Sequence, residues 1–105
     1  DGLKVIDMLA KHPSTAKFIA RKLAVKFVND NPSDAFVNRI ADAFTKSDGD
    51  IKTTLKAMFT DPEFYAPENY RAKIKTPFEV VISGIRTLGA DTNGMAIQQM
   101  LNKMG

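Results

Sequence analysis

Apolar residues recur along this chain every three or four positions, and no stretch alternates with the period of two that marks a half-buried strand. Leu3, Ile6, Leu9 and Ala10 predict a first helix over 3–11, ended by Pro13, which disfavours helical backbone in the residue before it. A second helix runs to about Val28, with Ser14 or Thr15 as its N-cap. Ala16, Ile19, Ala20, Leu23, Ala24 and Phe27 share one face of it, and Phe18, Val25 and Val28 widen the apolar arc. An arc so broad predicts a central helix, touched on more than one side.

The turn cluster Asn29-Asp30-Asn31-Pro32 separates it from a third helix over 34–46, capped by Ser33 or Asn31. That helix carries Phe36, Val37, Ile40, Ala41 and Phe44. After Ser47-Asp48-Gly49-Asp50, a fourth helix runs from about Asp50 to Thr60 and is expected to bury Ile51, Leu55, Met58 and Phe59. Asp61-Pro62 restarts the chain for one helical turn, with Asp as N-cap and Pro at the first position. The stretch 66–75 lacks periodicity and is expected to be a loop.

The fifth helix has the fullest signature. Thr76 caps it, Pro77 opens it and Glu79 completes a capping box. Phe78, Val81, Ile82, Ile85 and Leu88 form its stripe, and Gly89 stops it. Gly84 lies inside this helix, where it costs about 1 kcal/mol relative to Ala. Close approach of another helix would compensate, so a crowded contact is expected there and Gly84→Val should destabilise. A last helix covers about 95–103, with Ile97, Met100, Leu101 and Met104. The pattern predicts an all-α fold, a compact bundle of five to six short helices forming a single domain over residues 1–105.

Composition narrows the chemistry. The chain has 105 residues, 44% of them hydrophobic and 26% charged, ordinary values for a globular domain. It has no Cys, which removes disulfides, thiolate metal sites and cysteine nucleophiles. A net charge of +3 is small for a nucleic-acid binder. No segment reaches the roughly 20 apolar residues that cross a bilayer. The chain starts at Asp1, with no Met and no leader-like apolar run, and stops at Gly105, so it is expected to be part of something longer.

Few side chains offer reactive combinations. His12 is the one histidine, and its place beside Pro13 suits a hydrogen bond at the start of the second helix better than a metal. Asp48-Gly49-Asp50 starts like a calcium loop, but the twelfth position, where such a loop needs Glu, is Phe59. Ser83-Gly84 lacks the preceding Gly and the strand of a nucleophile elbow. No phosphate-binding glycine loop occurs and no cofactor is expected. One polar group stands out as a candidate cluster: Arg21, Lys22, Lys75, Glu79 and Arg86. It would serve as a buried network that specifies packing, or as an anion-binding wall.

The order of short motifs resembles a known family. His12-Pro13-Ser14-Thr15-Ala16, Phe18-Ile19-Ala20-Arg21-Lys22-Leu23, Phe27-Val28 and Pro32 carry the first part. Ser47-Asp48-Gly49-Asp50-Ile51, Phe64-Tyr65, Lys75-x-Pro77-x-Glu79 and Ile85-Arg86-Thr87-Leu88-Gly89 continue it. Together they are similar to the bacterial family called domain of unknown function 1800. The resemblance spans nearly the whole chain and is to a C-terminal portion of proteins several times longer. It implies a fragment of a larger protein, exported from the cell as many relatives look to be, and it carries no catalytic residue.

Three functions are therefore expected in order. The first is an interaction or scaffolding domain that packs against the rest of its parent chain or another protein, suggested by surplus apolar residues and five Met. The second is one wall of an enzyme site completed elsewhere in the parent chain. The third is a weak nucleic-acid binder using the basic strip Lys17, Arg21, Lys22 and Lys26 of the second helix.

Overall fold

The computed structural model describes residues 1–105 and contains helices and no strand. The α-helices are α1 (Gly2–Lys11), α2 (Pro13–Phe27), α3 (Asp34–Lys46), α4 (Ile51–Thr60), α5 (Pro77–Leu88) and α6 (Met95–Met104). Two 3₁₀ turns, Pro62–Tyr65 and Pro67–Asn69, lie between α4 and α5. The all-α architecture expected from the periodicity is present. Where the pattern predicts one domain, residue contacts fall into two compact units, Asp1–Lys73 and Ile74–Gly105.

Local chemistry sets most boundaries. Ser33 caps α3 by accepting from Phe36 N, Asp50 caps α4 by accepting from Thr53 N, and Asp61 caps the first 3₁₀ turn. α3 closes in a Schellman motif: Gly49 N donates to Phe44 O at 2.8 Å and Asp48 N to Thr45 O at 3.1 Å. This puts Asp48 at φ 55°, a left-handed conformation that Asp tolerates better than most residues. The cap of α2 differs from expectation. It is His12, whose Nδ1 accepts from Ser14 N at 3.1 Å, with Pro13 as first helical residue. Pro at that position leaves the residue before it in extended backbone, where only His12 can act as cap.

The core belongs to the first unit. Ala16, Ala20, Ala24 and Val28 form a small-residue ridge at i, i+4 spacing along α2. Phe36, Ile40 and Phe44 form a large-residue ridge at the same spacing along α3, with Val37 and Ala41 beside it. Small faces large, so two helices approach closely and still fill the space between them. Met58 closes the cluster from α4, and Ile19, Leu23, Leu55 and Phe64 pack at its edge.

Four expectations change at this level. α4 buries Thr54 and Met58, while Ile51 and Phe59 are exposed; the buried Thr54 hydroxyl is satisfied by donating to Asp50 O at 2.8 Å. α2 is the central helix expected, meeting α1, α3 and α4, but Phe18 and Phe27 stay exposed. The stretch 66–75 holds the second 3₁₀ turn, opened by Pro67. A Cβ at Gly84 would meet nothing within 4 Å, so the crowded contact does not exist.

The second unit has well-formed helices and no interior. α5 has the capping box, with Thr76 N donating to Glu79 Oε2 at 2.9 Å and Glu79 N to Thr76 Oγ1 at 3.3 Å. It ends at Gly89 with φ 60°, where Ala90 N donates to Ile85 O. α6 packs beside it. Neither helix buries a single residue.

Candidate functional site

The five polar residues singled out in the sequence divide between the two units. Arg21 Nη2 lies 2.8 Å from Asp34 Oδ1, tying α2 to the start of α3. Lys22 sits over its own helix's Phe18 ring, 5.2 Å from the centroid. Lys75 Nζ donates to Ser83 Oγ at 2.9 Å, and Glu79 serves the capping box. Arg86 stands exposed in the last turn of α5, where a cation suits the helix dipole. Each residue thus has a local task within its own helix or with the next one.

The densest polar site is one that the sequence reading missed. Arg39, on α3, meets the first 3₁₀ turn. Its Nε donates to Asp61 Oδ2 at 2.7 Å and its Nη2 donates to Asp61 Oδ1 at 3.1 Å and Glu63 Oε2 at 2.8 Å. Ser33 Oγ donates to the other Glu63 oxygen while still capping α3. Asn69 Nδ2 donates to Glu63 O at 2.6 Å, and Asn29 Nδ2 donates to Asn69 Oδ1. Lys73 pairs with Asp30 and fastens the end of the segment.

A bidentate guanidinium–carboxylate pair is the strong form of a salt bridge. The Asp61 side chain is only 11% exposed, while Arg39 is 48% exposed. Hydrogen bonding to Arg39 holds the Asp61 carboxyl below the ordinary carboxylate range, and the same contact raises the already high value of Arg39. Asp50 is also lowered, by the hydroxyl and backbone of Thr53. The only sequence sign of the Arg39 site was Asp61-Pro62, legible as a cap. Arg39 is a single charge on an exposed helix face, and nothing in the local pattern pairs it with a residue 22 positions away.

What the network holds in place is an aromatic edge. Phe27, Phe59, Phe64 and Tyr65 meet edge to face in series, with ring centroids 5.7, 5.3 and 5.1 Å apart. Beside them opens a cleft of about 260 Å³ between Phe27, Phe64, Tyr65, Tyr70 and Arg71. Tyr65 is 71% and Tyr70 76% exposed, so both rings stand at its rim. Arg71 has φ 55°, uncommon outside glycine, and its guanidinium lies 5.4 Å from the Tyr70 ring centroid. No group of three or more His, Asp or Glu converges in a way that would hold a metal. No helix is long and apolar enough to cross a membrane.

Each unit also exposes apolar side chains. Every residue of α1 is exposed, including Leu3, Ile6 and Leu9. The helix is held at its C-terminal end, where Thr15 Oγ1 donates to Leu9 O at 2.6 Å. Phe78, Val80, Leu88, Met95, Met100 and Met104 are exposed in the second unit.

The family described as "Protein of unknown function (DUF1800)" matches the chain over residues 1–105, and the chain belongs to that family. No curated protein and no solved structure matches it.

Proposed function

We propose that this member of the DUF1800 family is a helical interaction domain within a larger, exported bacterial protein, and that α5 and α6 dock against a protein partner or another part of the parent chain. One observation carries this reading: not one residue from Ile74 to Gly105 is buried. α5 nevertheless has an apolar stripe and complete caps at both ends. Segments below about 40 residues do not hold a fold without staples or a partner, and short isolated helices are marginal in water. In its stripe Val81, Ile82 and Ile85 are only partly covered and Phe78 and Leu88 are exposed, so a further covering surface would stabilise it. Leu88 at 82% exposed shows how much of that surface is open. Met95, Met100 and Met104 add flexible side chains that adapt to a facing surface. The uncovered apolar face of α1 supports the same reading.

Hydrogen–deuterium exchange on the monomeric 105-residue chain tests it. Amides of α5 and α6 should exchange orders of magnitude faster than those of α3, because no fully buried side chain resists local opening there. In the full-length parent protein the same amides should be protected, and Val81→Asp with Ile85→Asp should remove that protection. Protection of α5 and α6 equal to α3 in a chain that sediments as a monomer would overturn the proposal.

A further inference from the structure

The aromatic cleft, lined wholly by residues of the first unit, has the makings of a recognition site. Its lower wall is apolar, formed by the buried Val28 with Phe27, Phe64 and Ala66. The two tyrosines at its rim are exposed on a segment that is not loose: Ala66 N donates to Glu63 O, Asn69 N to Ala66 O and Tyr70 N to Pro67 O. Asn69 and Lys73 then tie the segment to Asn29 and Asp30 after α2. Two large aromatic rings are thus held in water by a rigid support, which lowers the ordering cost of binding.

The chemistry of the lining selects among ligands. Arg71 is its one charged residue, makes no ion pair, and calls for an anionic group. The amide of Asn69 is committed to Glu63 and Asn29, so it adds little toward a ligand. A sugar would set several hydroxyls against an apolar wall with few partners, at a cost for each unmet hydrogen bond. A nucleic acid strand would need a row of cations along its backbone, yet Lys73 is already paired with Asp30. An extended proline-rich peptide fits better. It presents flat apolar rings to aromatic grooves, and its carbonyls have no internal donors, leaving them free for tyrosine hydroxyls.

We infer that the cleft bounded by Phe27, Phe64, Tyr65, Tyr70 and Arg71 binds extended, proline-containing peptide segments that carry an acidic residue, with the rings on the tyrosines and the carboxylate on Arg71.

Tyr65 and Tyr70 are the chain's two tyrosines, and it has no tryptophan, so tyrosine fluorescence reports on this cleft alone. The 105-residue chain is titrated with a capped peptide of repeating Pro-Pro-Glu, with its Pro-Pro-Lys counterpart, with cellopentaose and with a short oligothymidylate. A saturable change with the Glu peptide, about tenfold weaker for the Lys peptide and for Arg71→Gly, is expected. Arg71→Gly suits the positive φ and keeps the fold, so weaker binding by that variant reflects the missing guanidinium. Tyr70→Ala should weaken binding while leaving the Tyr65 signal to report it. No saturation by millimolar Glu peptide, equal affinity for both peptides, or tighter binding of the sugar or the oligonucleotide would each overturn the inference.

Discussion

α3 and α5 are built from similar local parts and end up in opposite circumstances. Both have a side-chain N-cap, an acidic residue in the first turn, a basic residue in the last and a left-handed closing residue. α3 buries five residues, and α5 buries none. Good caps and a clean apolar stripe therefore make a helix without making a core. The difference lies in what faces the stripe. Opposite Phe36, Ile40 and Phe44 stands the alanine ridge of α2, whose small side chains admit a close approach. Within its own unit, the stripe of α5 has the short α6 beside it.

The comparison can be broken most forcefully in the core. Ile40→Ala removes a fully buried side chain from between the ridges and should cost about 2–5 kcal/mol in urea unfolding. Ile82→Ala on α5 should cost a fraction of that in the same assay, because its side chain is only partly enclosed. Equal losses at the two positions would erase the contrast between the units.

The polar brace comes next. Arg39→Ala strips the enclosed Asp61 of its partner and should cost about 1–2 kcal/mol, reduced from a fully buried pair because Arg39 is half exposed. The pH dependence follows from Asp61, whose native value is depressed. The stability it contributes is fully present above the ordinary carboxylate value of about 4 and is lost as pH falls through the lower native value. Arg39→Ala should flatten this acid limb, as measured by thermal unfolding between neutral and acidic pH.

Gly84 sharpens the contrast in the other direction. With nothing within 4 Å of its missing Cβ, Gly84→Ala should stabilise α5 by up to about 1 kcal/mol, seen as raised helicity in circular dichroism. A helix pressed against a neighbour would respond with a loss. Smallest is the cap of α2: His12→Ala should cost about 0.5 kcal/mol, and His12→Asn should retain most of it.

The helices themselves were legible because their signals are local. Thr76, Pro77, Glu79 and Gly89 place α5 to the residue, and Ser33 and Asp50 start α3 and α4 where their side chains reach the third backbone N–H. His12 was missed as the cap of α2 because its imidazole is an unusual acceptor there, and the hydroxyls of Ser14 and Thr15 stood nearby. The aromatic cleft was partly visible, since Tyr70 falls in the one irregular stretch and Tyr65 stands at its edge. The Arg39 brace was not, because Arg39, Asp61 and Glu63 share no period and meet only after α3 and α4 have packed.

The order of residues alone determined that the chain is helical, where its helices begin and end, and that thiol chemistry is absent. Capping and periodicity act within a few residues, so they survive in any context. Tertiary structure decided which stripes become interior, that Thr54 is buried while Ile51 and Phe59 are not, and that Gly84 faces open space. Those outcomes depend on whether a surface of matching shape comes to lie opposite, and shape complementarity between distant segments leaves no periodic trace in either one.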